Sequence, residues 1–368
     1  MEKKKLVVRT DASSSIGSGH IMRCLVAAKE FQKQNYDVIF VTNGDIGLAL
    51  EELIQKSKME LRKLPKAEKD SLVIWNDFFI EKDLQLFLDA IHDIKAHIII
   101  VDHYKLNKIW EEKAKLFTNC LFVIDDLANR EHRCNYLLDQ NYYYNKPESR
   151  YNSLININCK LLLGPKYSLL REEFYKLRAT SSTRLRGVPL KKILVFFGGS
   201  DPTNETSKVV DALLNHKIKF DVDVVIGGAN KNYFNIVAQY KFYPNVKIYY
   251  NISNVAQIMS QNDISIGAGG TTTWERCILG LPSIIICIAE NQIGISSEID
   301  QHGAAINLGW HKDVGTKDII RCLDELILTP QKIEIMSSKS LELMKESFGA
   351  KTVVQELLKG EGTIWKSV

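Results

Sequence analysis

One histidine stands where a base could work. The segment Arg9-Thr10-Asp11-Ala12-Ser13-Ser14-Ser15-Ile16-Gly17-Ser18-Gly19-His20 leaves a short β-branched run and enters a helical pattern. A glycine- and serine-rich turn before a helix leaves backbone N–H groups pointing outward, a setting for phosphate or sugar oxygens. Gly17, Ser18 and Gly19 supply that turn, and Asp11 lies close enough in sequence to join it. The Gly-Lys-Ser/Thr of a P-loop is missing, as is the six-residue dinucleotide fingerprint. His20 opens the helix, where the backbone dipole favours the neutral imidazole that a general base needs. Capping or packing is the plain alternative for a lone histidine; two flanking glycines and a strand-end location favour chemistry.

The second half repeats the theme twice. Phe196-Phe197-Gly198-Gly199-Ser200-Asp201-Pro202 ends a strand in two glycines, which allow close approach by a ligand, while Asp201 or Thr203 caps the next helix. A plain tight turn is the equal alternative there. Ile266-Gly267-Ala268-Gly269-Gly270-Thr271-Thr272-Thr273-Trp274-Glu275, running on to Gly280-Leu281-Pro282, is sharper. Its glycines and threonines offer N–H groups and hydroxyls to a diphosphate. Glu275, one turn into the helix, could accept from both ribose hydroxyls or serve only as a first-turn dipole partner. Trp274 reads as core.

Other candidates are less specific. Asp102-His103 and Asp125-Asp126 each end a strand. Asp11 and Asp102 are possible partners for His20, whereas capping is preferred for Asp126. Arg171 could neutralise phosphate or pair with acids around Glu172 and Glu173. Tyr142-Tyr143-Tyr144 could stack on a sugar or a base; without a concentrated basic patch, packing on the first domain is preferred.

The elements that must carry these residues alternate along the chain. Strands are expected at 6–9, 38–41, 98–101 and 121–124, then at 192–197, 222–226, 246–249, 264–266 and 283–288. Helical patterns lie between, such as 20–34 with Ile21, Leu25, Ala28 and Phe31 on one face. Strands apolar on both faces and separated by helices indicate parallel sheets covered on both sides. The fold class is therefore α/β, with two doubly wound Rossmann-type domains and a ligand at the C-terminal ends of their strands, in a cleft between them. The expected boundaries are a first domain at 1–165, a linker at 166–190 ending in Gly187-Val188-Pro189, and a second domain at 191–330. C-terminal helices follow at 331–358 and a tail at 359–368. With 368 residues, 45% hydrophobic and 25% charged, the chain has the size and balance for two cores. It shows no membrane-length apolar run and no secretory leader, so a cytoplasmic location is expected. The net charge of +4 is spread along the chain, which gives no nucleic-acid signature. Seven scattered cysteines without Cys-x-x-Cys, and eight histidines without His-x-x-x-His, predict neither a disulfide framework nor a protein-held metal.

Segment 267–282 resembles the UDP-sugar site of GT-B glycosyltransferases, particularly the peptidoglycan N-acetylglucosaminyltransferase. The stretch from Arg9-Thr10-Asp11 to Gly19-His20-Ile21-Met22-Arg23-Cys24 is similar to the family of UDP-2,4-diacetamido-2,4,6-trideoxy-β-L-altropyranose hydrolases of pseudaminic acid biosynthesis. Asp102-His103-Tyr104, Asp125-Asp126, Leu170-Arg171-Glu172-Glu173-Phe174, Gly198-Gly199-Ser200-Asp201 and Glu290-Asn291-Gln292 extend that likeness in order. The resemblance implies a GT-B fold and a UDP-sugar substrate; no cofactor, metal, nucleic acid or membrane partner is expected. It makes His20 the base that activates water, with Tyr104 and Asn291 around the sugar. The expected substrate-binding set is Asp11, Gly17, Ser18, Gly19, Arg171, Gly198, Gly199, Gly269, Gly270, Thr271, Thr272, Glu275 and Gln292, of which the resemblance assigns the Gly/Thr-rich helix start and Glu275 to UDP. The implied reaction is hydrolysis to UDP and free sugar with inversion at the anomeric carbon. A glycosyltransferase using the same donor and a catalytically silent nucleotide-sugar-binding regulator are the alternatives. A spore-coat polysaccharide group shares the motifs, and oligomeric state stays open, a monomer included. The helical stretch past about Asp318 departs from the shorter family members.

Overall fold

Every strand expected from the sequence forms, and among the described residues four more join them. The computed structural model describes residues 3–12, 17–44, 46–65, 76–144, 147–178 and 189–364. Residues 13–16 of the first turn, 179–188 of the expected linker with Gly187 and Val188, and the end of the tail at 365–368 lie outside the described residues. The chain divides into two compact units: Met1–Asn141, Asn145–Leu169 and Phe348–Val368 form the first, Tyr142–Tyr144 and Leu170–Ser347 the second.

In the first unit β1 (Lys4–Thr10), β2 (Tyr36–Asn43), β3 (Glu60–Leu64), β4 (Ala96–Asp102), β5 (Thr118–Ile124), β6 (Tyr136–Asp139) and β7 (Lys160–Leu163) form one sheet. Its order is β3-β2-β1-β4-β5-β6-β7 and every pairing is parallel. Successive side chains face opposite ways, so Leu6 and Val8 enter one core with Ile98, Ile100 and Phe122. Val7 enters another with Ile99, Val101, Leu121 and Val123. Both faces are therefore covered, as a parallel sheet requires. Helix Gly19–Lys33 lays Ile21, Cys24, Leu25, Ala28 and Phe31 on the first core. It stops just before Asn35, which takes a left-handed φ of 64°.

The second unit holds β8 (Lys192–Phe196), β9 (Asp221–Ile226), β10 (Val246–Tyr250), β11 (Ile264–Gly267), β12 (Ser283–Cys287) and β13 (Ala305–Trp310). They form an all-parallel sheet of order β10-β9-β8-β11-β12-β13. Ile193, Val195, Val224 and Ile266 line one face; Leu194, Phe196, Val225 and Ile285 line the other.

Three expectations are corrected. The unit boundary falls between Leu169 and Leu170, and much of the stretch read as linker is ordered, with a one-turn helix at Pro165–Tyr167 and helix Glu172–Arg178. The C-terminal helices do not form one block. Helix Pro330–Leu343 belongs to the second unit, whereas Ala350–Ile364 sends Val353, Val354 and Leu357 into the core of the first. Tyr142–Tyr144 sits with the second unit, where the Tyr142 ring meets His302 edge-on at 5.0 Å and Tyr144 N donates to Glu298 at 3.0 Å.

A buried ion cluster at β5 gives the first unit a pH signature. His132 is fully buried, its Nδ1 2.7 Å from Glu111 Oε1 and its Nε2 3.7 Å from Asp125 Oδ2. Burial alone would lower its pKa, but the two carboxylates raise it from 6.5 to about 9. A raised histidine contributes stability that is complete below its unfolded pKa and lost as pH climbs through its folded one. Urea unfolding should therefore lose about 3 kcal/mol between pH 6 and pH 9.5. His132→Gln should flatten that slope; an unchanged slope in the variant would assign it to other groups.

Candidate functional site

In each sheet the connections reverse direction at one place, between β1 and β4 in the first unit and between β8 and β11 in the second. At such a switch point the loops leaving adjacent strands diverge, and ligands of open α/β sheets bind there. The ends of β1 and β4 bring His20 and Asp102 to the first of these places, and the glycine turns after β8 and β11 lie at the second.

His20 follows β1 and Asp102 ends β4, and Thr10 and Asp102 are paired in the ladder. The 82 residues separating them in sequence are thereby closed to a contact: His20 Nδ1 lies 2.5 Å from Asp102 Oδ1. Helix Gly19–Lys33 brings two more side chains to the same carboxylate from positions three and four residues on, which share a helix face. Arg23 grips it bidentately, Nε to Oδ2 and Nη2 to Oδ1, both at 2.6 Å. The Cys24 thiol donates to Oδ2 at 3.6 Å. Burial opposes the charge on Asp102, but Arg23 and His20 hold its carboxyl well below the usual range. An ionised oxygen 2.5 Å from Nδ1 favours the tautomer with its proton on that nitrogen, although Arg23 Nη2 also lies 3.3 Å from it, and in that tautomer Nε2 is the acceptor. Tyr104 closes against the imidazole edge-on, with ring centroids 4.5 Å apart at 84°. The result is an imidazole held in one tautomer and one plane, an arrangement able to take up a proton at Nε2.

Asp11 is held by the protein scaffold. Buried Arg9 bonds it and Asp83, His103 Nε2 lies 3.0 Å from Asp11 Oδ2, and Asn43 N donates to Oδ1 at 2.7 Å. Asp126, expected as a cap, instead accepts from Arg23 Nη1 at 2.9 Å. Asp125 takes the local turn, accepting from Ala128 N at 2.8 Å. Gly17, Ser18 and Gly19 are half-buried at the helix entry, and Ser18 occupies the N-cap position without a side-chain capping bond.

In the second unit the turns after β8 and β11 are neighbours, because Gly267 pairs with Phe196. A Cβ on Gly267 would stand 2.1 Å from Phe196 O, and one on Gly269 would stand 2.1 Å from Ser296 Oγ. At Gly267 the obstacle is backbone, so glycine is dictated there by close approach; at Gly269 it is the Ser296 hydroxyl. Gly198 and Gly199 form the other turn, which passes close to Gly227. Asp201 caps helix Glu205–Leu214 from Glu205 N at 2.9 Å and Thr206 N at 3.0 Å.

The N–H of Gly269 is not presented outward as expected: it donates to Gln292 Oε1 at 3.3 Å, which also accepts from Ile288 N at 3.0 Å. Gln292 thus braces the turn, whereas Asn291 is exposed beside it. Gly270, Thr271 and Thr272 are half-buried on the turn. Glu275 is nearly buried, and Arg171 reaches it with Nη2 at 3.2 Å while Nη1 lies 2.9 Å from Glu173. Burial raises the Glu275 pKa and Arg171 opposes the rise. Arg171 is therefore a partner of carboxylates in this structure. Among the described residues no group of three or more His, Cys, Asp or Glu side chains is placed to hold a metal ion. Nor is any helix among them long and apolar enough to cross a membrane.

Two parallel-sheet α/β units, each reversing at its central strands, make this a GT-B fold. MurG of Acinetobacter baumannii superposes with a TM-score of 0.65 at 15% identity, covering 97% of this chain and 99% of that one. The description "Glycosyltransferase family 28 C-terminal domain" matches residues 193–356. Among curated proteins, an uncharacterised protein of Methanocaldococcus jannaschii is 31% identical over 301 residues, 77% of this chain and 55% of that protein. The chain thus spans about half the length of that relative. The UDP-2,4-diacetamido-2,4,6-trideoxy-beta-L-altropyranose hydrolase of Campylobacter jejuni is 25% identical over 299 residues, 81% of this chain and 97% of that protein.

Proposed function

We propose that this protein hydrolyses a UDP-activated diacetamido-trideoxy sugar to UDP and the free sugar, with inversion at the anomeric carbon. The observation that carries the reading is the His20–Asp102 contact, with Arg23 balancing the carboxylate and Tyr104 fixing the ring. The similarity to the Campylobacter hydrolase over nearly its whole length supports it. Nε2 of His20 takes a proton from water as the water oxygen bonds to the anomeric carbon. The bond from that carbon to the diphosphate oxygen breaks on the opposite face, and UDP leaves with the electron pair. One displacement without a covalent intermediate inverts the centre. Gly270, Thr271 and Thr272 offer donors to the departing diphosphate, and stabilising charge that develops in the transition state is what lowers the barrier. Glu275 accepts from the ribose hydroxyls.

A second reading is favoured by the family 28 match and by the MurG likeness: the same base deprotonates an alcohol acceptor and the protein transfers the sugar. Release of UDP from the UDP-sugar without any acceptor separates the two. Steady turnover is expected; release that starts only on adding an alcohol would establish transfer, and UDP-sugar binding without turnover would make the protein a silent binder.

The nucleotide assignment has its own test. Glu275→Gln keeps the shape but removes the charge that the ribose hydroxyls would meet, so UDP binding should weaken by about 1–3 kcal/mol. Unchanged affinity in calorimetry would remove Glu275 from the nucleotide site.

A further inference from the structure

Behind the turn that follows β11 lies a buried arginine without a counter-ion. Arg276, on helix Thr272–Ile278, is fully buried. Its Nη2 donates to Ala268 O at 2.8 Å and to Thr273 Oγ1 at 3.2 Å. Nε and Nη1 have no hydrogen-bond partner among the described residues. Nη1 backs directly onto Gly267, 3.0 Å from where a Cβ would stand. The buried arginines of the first unit are treated differently: Arg9 sits between Asp11 and Asp83, and Arg23 between Asp102 and Asp126. The carboxylate adjacent in sequence, Glu275, is paired with Arg171. Burial pulls the Arg276 guanidinium down to about 10, against the weaker pull of Cys277 and Glu275. A buried cation without an anion is costly, and a protein that keeps one needs a compensating charge from elsewhere.

We propose that Arg276 is the fixed positive charge of an anion-binding turn, whose counter-ion is the diphosphate of a nucleoside diphosphate held at residues 270–272. The assignment rests on the reading that this turn binds UDP. Arg276 acts through the 267–270 backbone that it braces, so it is a positioning residue, and it selects for the diphosphate over the nucleoside.

The test compares UDP with uridine, which has the same base and ribose but no phosphate, on the full chain by competition calorimetry. Arg276→Gln should lower the preference for UDP over uridine about tenfold, the effect of one charge acting over roughly 10 Å at an effective dielectric of about 20. Uridine affinity should stay unchanged, and Arg276→Lys, which keeps the charge, should retain the preference to within about threefold. A merely structural role would weaken both ligands in parallel, and that result overturns the assignment, as does an unchanged preference in Arg276→Gln. Should the glutamine variant not fold, the lysine variant decides: a tenfold loss of preference with the charge retained overturns the proposal. If the unaltered protein does not bind UDP, the functional reading itself falls and takes this assignment with it. UDP binding by the unaltered protein with no change in the variants sinks the assignment alone.

Discussion

Replacing His20 by asparagine should lower kcat by about 10²- to 10⁴-fold, the span for loss of a general base, while UDP affinity stays within about twofold. Asparagine roughly matches the imidazole in size but has no basic nitrogen to receive the water proton. The sparing of UDP comes from where the parts lie: His20 is on the first unit, and the turn read as the nucleotide site is on the second. Measuring kcat by UDP release and Kd by calorimetry on one preparation separates the two effects. A variant with near-normal turnover would make His20 a packing residue. A variant that lost UDP affinity in parallel would place its role in binding.

Asp102→Asn should be nearly as damaging to turnover and far worse for stability. An asparagine amide can present its N–H₂ to His20 Nδ1, which forces the imidazole proton onto Nε2 and removes the acceptor that faces water. A kcat loss of about 10²- to 10⁴-fold is expected. The substitution also strips the charge that Arg23 grips with two bonds of 2.6 Å, leaving a buried guanidinium with Asp126 as its remaining carboxylate. Breaking one side of a buried pair costs about 3–5 kcal/mol. Unfolding in urea should show that loss, and the His20 variant, which leaves the Arg23–Asp102 pair intact, should not. Equal stability losses in the two variants would contradict this division of labour.

How much of this is visible in the sequence depends on the distance over which each signal acts. Strands rich in β-branched residues and buried on both faces, such as 98–101 and 283–287, declare themselves locally. So do the glycine turns, which stand directly after their strands. β3 does not: Glu60-Leu61-Arg62-Lys63-Leu64 is a sheet-edge strand whose charged side chains reach solvent, and no apolar run marks it. β6 and β7 are four residues each, too short for periodicity to speak. The partner of His20 stays open in the sequence because Asp11 and Asp102 both sit at or just past a strand end. What settles it is Arg9, Asn43 and His103 claiming Asp11; Arg9 is only two residues away, but Asn43 and His103 are distant in sequence and leave no local trace. Arg23 lies three residues from His20, a spacing that puts both on one helix face, so a local signal for this partner does exist. Arg276 offers none, since a lone arginine in a helix reads as a surface charge until its burial is known. The crossing of the final helix into the first unit's core is likewise a long-range fact: Val353, Val354 and Leu357 fit any helix-covered sheet.

Water, activated by His20, is the proposed acceptor. Turnover of the UDP-diacetamido-trideoxy sugar in ¹⁸O-labelled water, with the first-formed sugar read by NMR and mass spectrometry and no other acceptor present, tests it most directly. One ¹⁸O is expected at the anomeric hydroxyl, with a configuration inverted from that of the substrate and release reduced at least about 100-fold in the His20→Asn variant. Retained configuration, label appearing in UDP instead of the sugar, or no release until an alcohol is supplied would contradict it.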